Sequence, residues 1–196
     1  MNSVEINLLQ QSGLDRDALE RIFSHIQHHQ IDYADMYFQV SRHESWMLED
    51  GLVKEGSYNI ERGVGVRACA GEKTGFSYSD DINQNNLQLA ATAARSIAVA
   101  SPDGYSGKEK IWTSAAATKA YLPAEPLESL NEAQKIELLH NMEQHARQIE
   151  PLVSQVIASI SGVYEEVLIA ASDGTFATDI RPLVRLNCSI LIEKDG

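Results

Sequence analysis

Two Asp-Gly dipeptides, Asp50-Gly51 and Asp173-Gly174, each stand between long stretches of alternating character. Asp-Gly accepts the positive φ of a tight reversal at little steric cost, so each pair reads as the turn of an antiparallel hairpin. Before the first turn, Ala34, Met36, Phe38 and Val40 share one side of the pattern, with Asp35, Gln39 and Ser41 on the other. That period of two is the mark of a half-buried strand. Beyond the turn, Val64, Val66, Ala68 and Ala70 alternate with Gly63, Gly65, Arg67 and Cys69, and Thr74, Phe76 and Tyr78 alternate in a following strand. In the second half, strands are expected around 156–160, through "EEVLIAAS", and from about Pro182 to Glu193.

Helical spacing marks three further segments. Leu14, Ala18, Leu19, Ile22, Phe23 and Ile26 predict a helix over 14–29, and Leu87, Ala90, Ala91, Ala94, Ile97 and Ala98 one over 83–100. A third opens at Ser129-Leu-Asn-Glu132, spaced as a capping box, and stops at Pro151, with Ala133, Ile136, Leu139, Met142, Ala146 and Ile149 as its stripe. The expected fold is therefore α+β: antiparallel or mixed sheets packed with about three amphipathic helices. The second half repeats the order of the first, so that Asp173-Gly174 answers Asp50-Gly51 and, after a one-residue slip, Leu186, Cys188 and Ile190 answer Val64, Val66 and Ala68. The expected organisation is an α/β half over 1–100, a long connection over 101–128, and a second half over 129–196 that stops at Gly196 within a hairpin.

Composition narrows the function. With 43% apolar and 22% charged residues the chain is an ordinary globular protein. It lacks a run approaching the roughly 20 apolar residues of a membrane span, and no basic-then-apolar leader opens it, so a cytoplasmic location is expected. A net charge of −12 argues against nucleic-acid partners. Cys69 and Cys188 match no metal-ligand spacing.

The stretch "GVGVRACAGEKTGF" imitates phosphate-binding loops. A dinucleotide fingerprint needs a helix directly after its glycines, but here a strand follows, and Glu72 stands where a Walker loop needs glycine. The glycines read instead as places where another backbone comes close. His25 and His29 share a helix face at i, i+4 and could hold a metal, but no third ligand accompanies them; cationic-capable residues also suit a helix C-terminus. His140 and His145 point to different faces, and His43 sits in strand pattern. Arg67, Glu72, Lys73, Asp80 and Asp81 cluster about one hairpin, as solvated turn charges commonly do. These residues show no catalytic site of their own.

"LEDGLVKEGSYNIERGVGVRACAGEKTGFSYSDD" (48–81), together with "DYADMYFQVSRHESWMLEDG", "EPLESLNEAQKIELL", "SGVYEEVLIAASDGT" and "DIRPLVRLNCSILIEKDG", resembles the N-terminal region of the TldD/PmbA family, on its TldD side. The resemblance implies a cytoplasmic zinc metallopeptidase acting on unstructured or short peptides, working with a TldE/PmbA-like partner subunit, in a family also called modulators of DNA gyrase. The family's metal motif, His-Glu-x-x-x-His with a later Cys, is absent from this sequence, so no catalytic or metal residue carries over; zinc is expected only in a full-length protein. The implied role is a substrate-chamber or assembly domain, inactive by itself, with Gly63, Gly65, Arg67 and Gly75 as candidate peptide contacts. Two other readings stay open: a free-standing interaction module engaging a partner or peptide, or a second copy of itself, through sheet edges, and a small metalloenzyme built on His25 and His29.

Overall fold

The computed structural model describes residues 3–27, 31–99, 113–114, 121 and 125–194. A short helix α1 (Ser3–Leu8) and a 3-10 turn (Gln10–Ser12) lead into helix α2 (Arg16–Gln27). Strands β1 (Tyr33–Glu49), β2 (Leu52–Ala70) and β3 (Lys73–Ser79) come next, then helix α3 (Gln84–Ala98) and the two-residue strand β4 (Thr113–Ser114). Helix α4 (Glu132–Ile149), β5 (Val153–Ala171) and β6 (Thr175–Ile192) complete the order. The strands run β3-β2-β1-β5-β6-β4 across one sheet; β2 and β3 are antiparallel and β4 pairs parallel with β6, so the fold is α+β with a mixed sheet.

The two Asp-Gly turns differ in detail. Asp50 and Gly51 both take positive φ, 47° and 75°, the primed geometry whose twist matches the flanking strands. At the second turn only Gly174 is positive, at 93°, and its N–H donates to the Ala171 carbonyl at 3.0 Å.

Two strands stand where three were expected after α4. Ser161-Gly162 reads as a break in the sequence, yet β5 runs straight through it. Gly162 is there for space: a Cβ on it would lie 2.5 Å from Leu127 Cδ2. Pro182 is likewise absorbed into β6, past the Thr175–Phe176 stretch that pairs with β4, where a strand edge tolerates the missing N–H.

The chain folds into two compact units that interleave along the sequence, because β1, β2, β5 and β6 each give a stretch to both. The first comprises Met1–Val40, Glu61–Ala120 and Glu166–Ile180. Its core joins the α2 stripe (Ala18, Leu19, Ile22, Phe23, Ile26) to Ala34, Met36 and Phe38 of β1, Val64, Val66 and Ala68 of β2, and Leu87, Ala90, Ala91, Ala94 and Ala98 of α3. Leu8 and Leu9, in and just after the unforeseen α1, close this core.

The second unit comprises Ser41–Ile60, Tyr121–Glu165 and Arg181–Gly196. Its apolar cluster is small: Leu48, Leu139 and Ala158, with Trp46, Met142 and Ile160 against them. Helix α4 departs from its expected stripe. Ala133 and Ile149 are exposed, whereas Lys135 and Glu143 are buried. Lys135 can go under because its ammonium donates to both Glu44 carboxylate oxygens (2.8 and 2.7 Å) and to the Leu127 carbonyl (2.6 Å), while its methylene stem packs. The capping box also moves: it is formed by Asn131 and Gln134, while Ser129 donates to the Pro126 carbonyl.

Candidate functional site

Three of the four candidate contacts, Gly63, Gly65 and Arg67, lie on the side of β2 away from its buried Val64, Val66 and Ala68. The β3 ladder places Gly65 opposite Tyr78 and Arg67 opposite Phe76. Phe76 leans back across Gly65, where a Cβ would meet its ring at 3.0 Å. Phe76 and Tyr78 stack with centroids 6.4 Å apart and remain 57% and 70% exposed. The two rings thus form an exposed aromatic pair on this face of the sheet.

Arg67 is fixed on this face. It pairs with Asp35 at 2.6 Å and lies 5.8 Å from the Tyr33 ring centroid. Burial pushes the Tyr33 phenol above its ordinary value, Asp35 and Asp173 add to that, and Arg67 opposes it. Cys69 sits further along, its Sγ 3.6 Å from the Thr74 hydroxyl.

Gly75 belongs to the other side. It is buried under α3, where a Cβ would strike the Ala94 carbonyl oxygen and stand 2.9 Å from Ala98 N. Gly63 is tight against its own ladder partner strand, with the Ser79 carbonyl 2.9 Å from an added Cβ. The close approaches that the glycines permit are thus made by this chain: α3 at Gly75, the β3 backbone at Gly63 and the Phe76 ring at Gly65. From Val64 to Ala70 the backbone of β2 is committed to pairing with β3, which is the outermost strand on that side.

A second concavity, in the other unit, was missed by sequence reasoning. A cleft of about 510 Å³ runs between Gly56 and Tyr58 of β2 and the start of α4, lined also by Trp46, Leu127 and Lys135. Trp46 lies flat on Gly56, where a Cβ would be 2.5 Å from the ring, and donates its indole N–H to Glu44 at 2.6 Å. The signals were a lysine inside a helical stripe and a glycine two residues before a tyrosine, neither distinctive in a lone sequence.

No cluster of three or more His, Cys, Asp or Glu residues that could hold a metal gathers among the described residues. His25 Nε2 lies 3.2 Å from the Thr92 hydroxyl and 3.0 Å from an Arg95 guanidinium nitrogen, a cationic neighbour that disfavours a metal ion there. His29 lies outside the described residues, as does nearly all of the 101–126 connection. Among the described residues, no set of side chains fits zinc. Among the described residues no helix is long and apolar enough to cross a membrane.

Both the sequence and the fold have counterparts among known proteins. Residues 34–98 match PmbA/TldA metallopeptidase domain 1, and residues 125–196 match the PmbA/TldA metallopeptidase central domain. A metalloprotease TldD homolog of Haemophilus influenzae is 50% identical over 202 residues, which cover all of this chain and 40% of that protein. The TldD homolog of Buchnera aphidicola subsp. Schizaphis graminum is 42% identical over 172 residues, 86% of this chain and 34% of that protein. Among solved structures, a protein called a modulator of DNA gyrase from Thermotoga maritima superposes with a TM-score of 0.69 at 12% identity, over 92% of this chain and 40% of that one. TldE from Thermococcus kodakarensis gives 0.67 at 16% identity, over 91% of this chain and 40% of that one. At such identities the structures establish the fold alone. The chain spans about 40% of the length of the first of these relatives. Two adjacent domain matches, with 50% identity along the whole chain, make it a member of the PmbA/TldD metallopeptidase family.

Proposed function

We propose that this chain is the N-terminal, substrate-facing and assembly portion of a cytoplasmic TldD-like zinc metallopeptidase that degrades or processes unstructured peptides. Zinc and the residues that activate water lie, on this reading, elsewhere in the full-length protein, and these 196 residues do not hydrolyse peptides alone. The observation that carries it is the 50% identity, over the whole of this chain, to a relative called a metalloprotease TldD homolog. Local support comes from the exposed Phe76 and Tyr78 beside Gly63, Gly65 and Arg67, next to the outermost strand β3. An extended peptide laid along β3 would take backbone hydrogen bonds at that edge and rest side chains on the rings, a mode that selects disorder over sequence. Gly75 contributes indirectly, by letting α3 close on β3.

The natural assembly, in this proposal, pairs the protein with a TldE/PmbA-like subunit or with a second copy. TldE from Thermococcus kodakarensis shares the fold, so like surfaces can meet about a pseudo-twofold axis. The test is cleavage of an unstructured peptide by the full-length protein carrying Gly65→Val or Phe76→Ala, each checked for native melting. Cleavage falling about tenfold, the effect of about 1.4 kcal/mol of lost contact, supports the reading. Unchanged cleavage of every peptide by both variants refutes the role of this face, and hydrolysis by the isolated 196-residue chain refutes the division of labour.

A further inference from the structure

The second half of β6 carries apolar residues that this chain leaves about half exposed. Val184 lies beside Leu127 and Ile160, on the side where Lys135 of α4 packs. By the period of a strand, Leu186, Cys188, Ile190 and Ile192 share that side, while Arg185, Asn187 and Ser189 face the other, with exposed Leu183 and Leu191 at its two ends. Yet Val184, Leu186, Ile190 and Ile192 are 52%, 48%, 48% and 54% exposed, and Cys188 is exposed as well. Among the described residues the outer edge of β6 pairs only at Thr175 and Phe176. A five-residue, half-exposed apolar stripe along an open strand edge is a surface suited to contact.

The first half of the chain shows what covers such a stripe. The sequences align α2, β1, the Asp-Gly turn and β2 with α4, β5, the second Asp-Gly turn and β6, taking 1–100 and 129–196 as two copies of one plan joined by 101–128. The long strands are of nearly equal length in both, 17 and 19 residues against 19 and 18. In this alignment Leu186, Cys188 and Ile190 occupy the places of Val64, Val66 and Ala68, which are 2%, 0% and 0% exposed. Those three share one core with helix α2 and with the elements next in the chain after β2: a short turn, the antiparallel strand β3, and helix α3, whose Leu87, Ala90, Ala91 and Ala94 join it.

We propose that the β6 stripe is the docking surface for a strand–helix segment of the same polypeptide. It comes from the portion of the relatives' length that lies outside the aligned 40%. The strand adds antiparallel to the outer edge of β6, and an amphipathic helix with small apolar residues on its inner face lies over Leu186, Cys188 and Ile190, as α3 lies over its counterpart. This inference rests on family membership and on the repeated plan, not on the peptidase reading, and its test uses no activity.

Cys188 is a probe placed at the centre of the stripe. With Cys69→Ser removing the other thiol, alkylation of Cys188 by iodoacetamide is timed in the 196-residue chain and in the protein at its full natural length. The expected result is fast labelling in the former and labelling slowed by about 100-fold or more in the latter, as for a group reached only through local opening. A paired variant, Leu186→Lys with Ile190→Lys, should leave the melting temperature of the 196-residue chain unchanged and lower that of the full-length protein by about 5 °C or more. Equal labelling in the two forms, or equal melting losses, overturns the proposal. Protection in the 196-residue chain that grows with its concentration also overturns it, since a second copy would then be the occupant.

Discussion

Gly75→Ala should be among the most damaging single-methyl additions in this protein. The added Cβ would overlap the Ala94 carbonyl oxygen and stand 2.9 Å from both Ala94 C and Ala98 N, all of them helix backbone that no rotamer change can clear. Helix α3 must therefore lift off β3 by on the order of 1 Å, a gap that forfeits a quarter to a half of each dispersion contact along it. Leu87, Ala90, Ala91, Ala94 and Ala98 are the side chains that lose those contacts. Overpacking against rigid backbone costs about 3 kcal/mol, which for a chain of this size lowers the melting temperature by roughly 6–12 °C. Gly65→Ala is the control. Its Cβ would meet only the Phe76 ring at 3.0 Å, and that ring is 57% exposed and free to swing, so a loss within about 0.5 kcal/mol is expected. Thermal melts by circular dichroism compare the two. If Gly75→Ala melts no lower than Gly65→Ala, α3 does not rest on the β3 backbone at Gly75.

Other perturbations separate the remaining structural claims. Lys135→Met strands Glu44, only 14% exposed, and should cost about 3–5 kcal/mol, much of it recovered in the double variant with Glu44→Gln; denaturant melts measure both. Asn131→Ala removes the observed N-cap of α4 and should cost about 1 kcal/mol, more than Ser129→Ala, in the same assay. The Tyr33 phenol, held above its ordinary value of about 10, keeps its proton in the folded state after the unfolded chain has lost it. Stability should therefore fall as pH rises from about 10 through the folded pKa, less so in Tyr33→Phe. Arg67→Gln removes the opposing charge and should move the phenolate absorbance step still higher.

The sequence was most legible where one physical preference acted alone. Strict alternation put Ala34, Met36 and Phe38, and Val64, Val66 and Ala68, into one core, and the helical spacing of α2 and α3 did the same. It was least legible where packing overrode local preference. Gly162 and Pro182 are strand breakers by propensity, yet one accommodates Leu127 and the other lies on β6 beyond the short stretch that pairs with β4. Helix α4 buries Lys135 in preference to Ala133 because Glu44, 91 residues away, receives its ammonium. No local pattern encodes such a partner, and the Trp46 cleft was hidden for the same reason.

The two units also differ in what holds them, and the difference is measurable. The first is closed by an extended apolar cluster drawn from its helices and strands. The second relies on Leu48, Leu139 and Ala158 together with the ion pairs Lys135–Glu44, Arg147–Asp50 and Arg147–Glu143. The Arg147 pairs are partly exposed, so they add little net stability and salt screens them. The buried Lys135–Glu44 pair is costly to break, but most of its attraction goes to offsetting its own desolvation. Buried apolar area, by contrast, is insensitive to moderate salt. Local opening should therefore start in the second unit. Native-state hydrogen exchange is expected to show the amides of Leu139 and Ala158 exchanging faster than those of Phe38 and Val66, with the difference widening as salt is added. In the full-length protein the same difference should narrow, because a covered β6 stripe would add to the second unit the apolar burial it lacks. Equal protection in both units at every salt concentration would mean that the charged pairs of α4 stabilise the second unit as well as an apolar core does the first, and the ranking of the two units would be refuted.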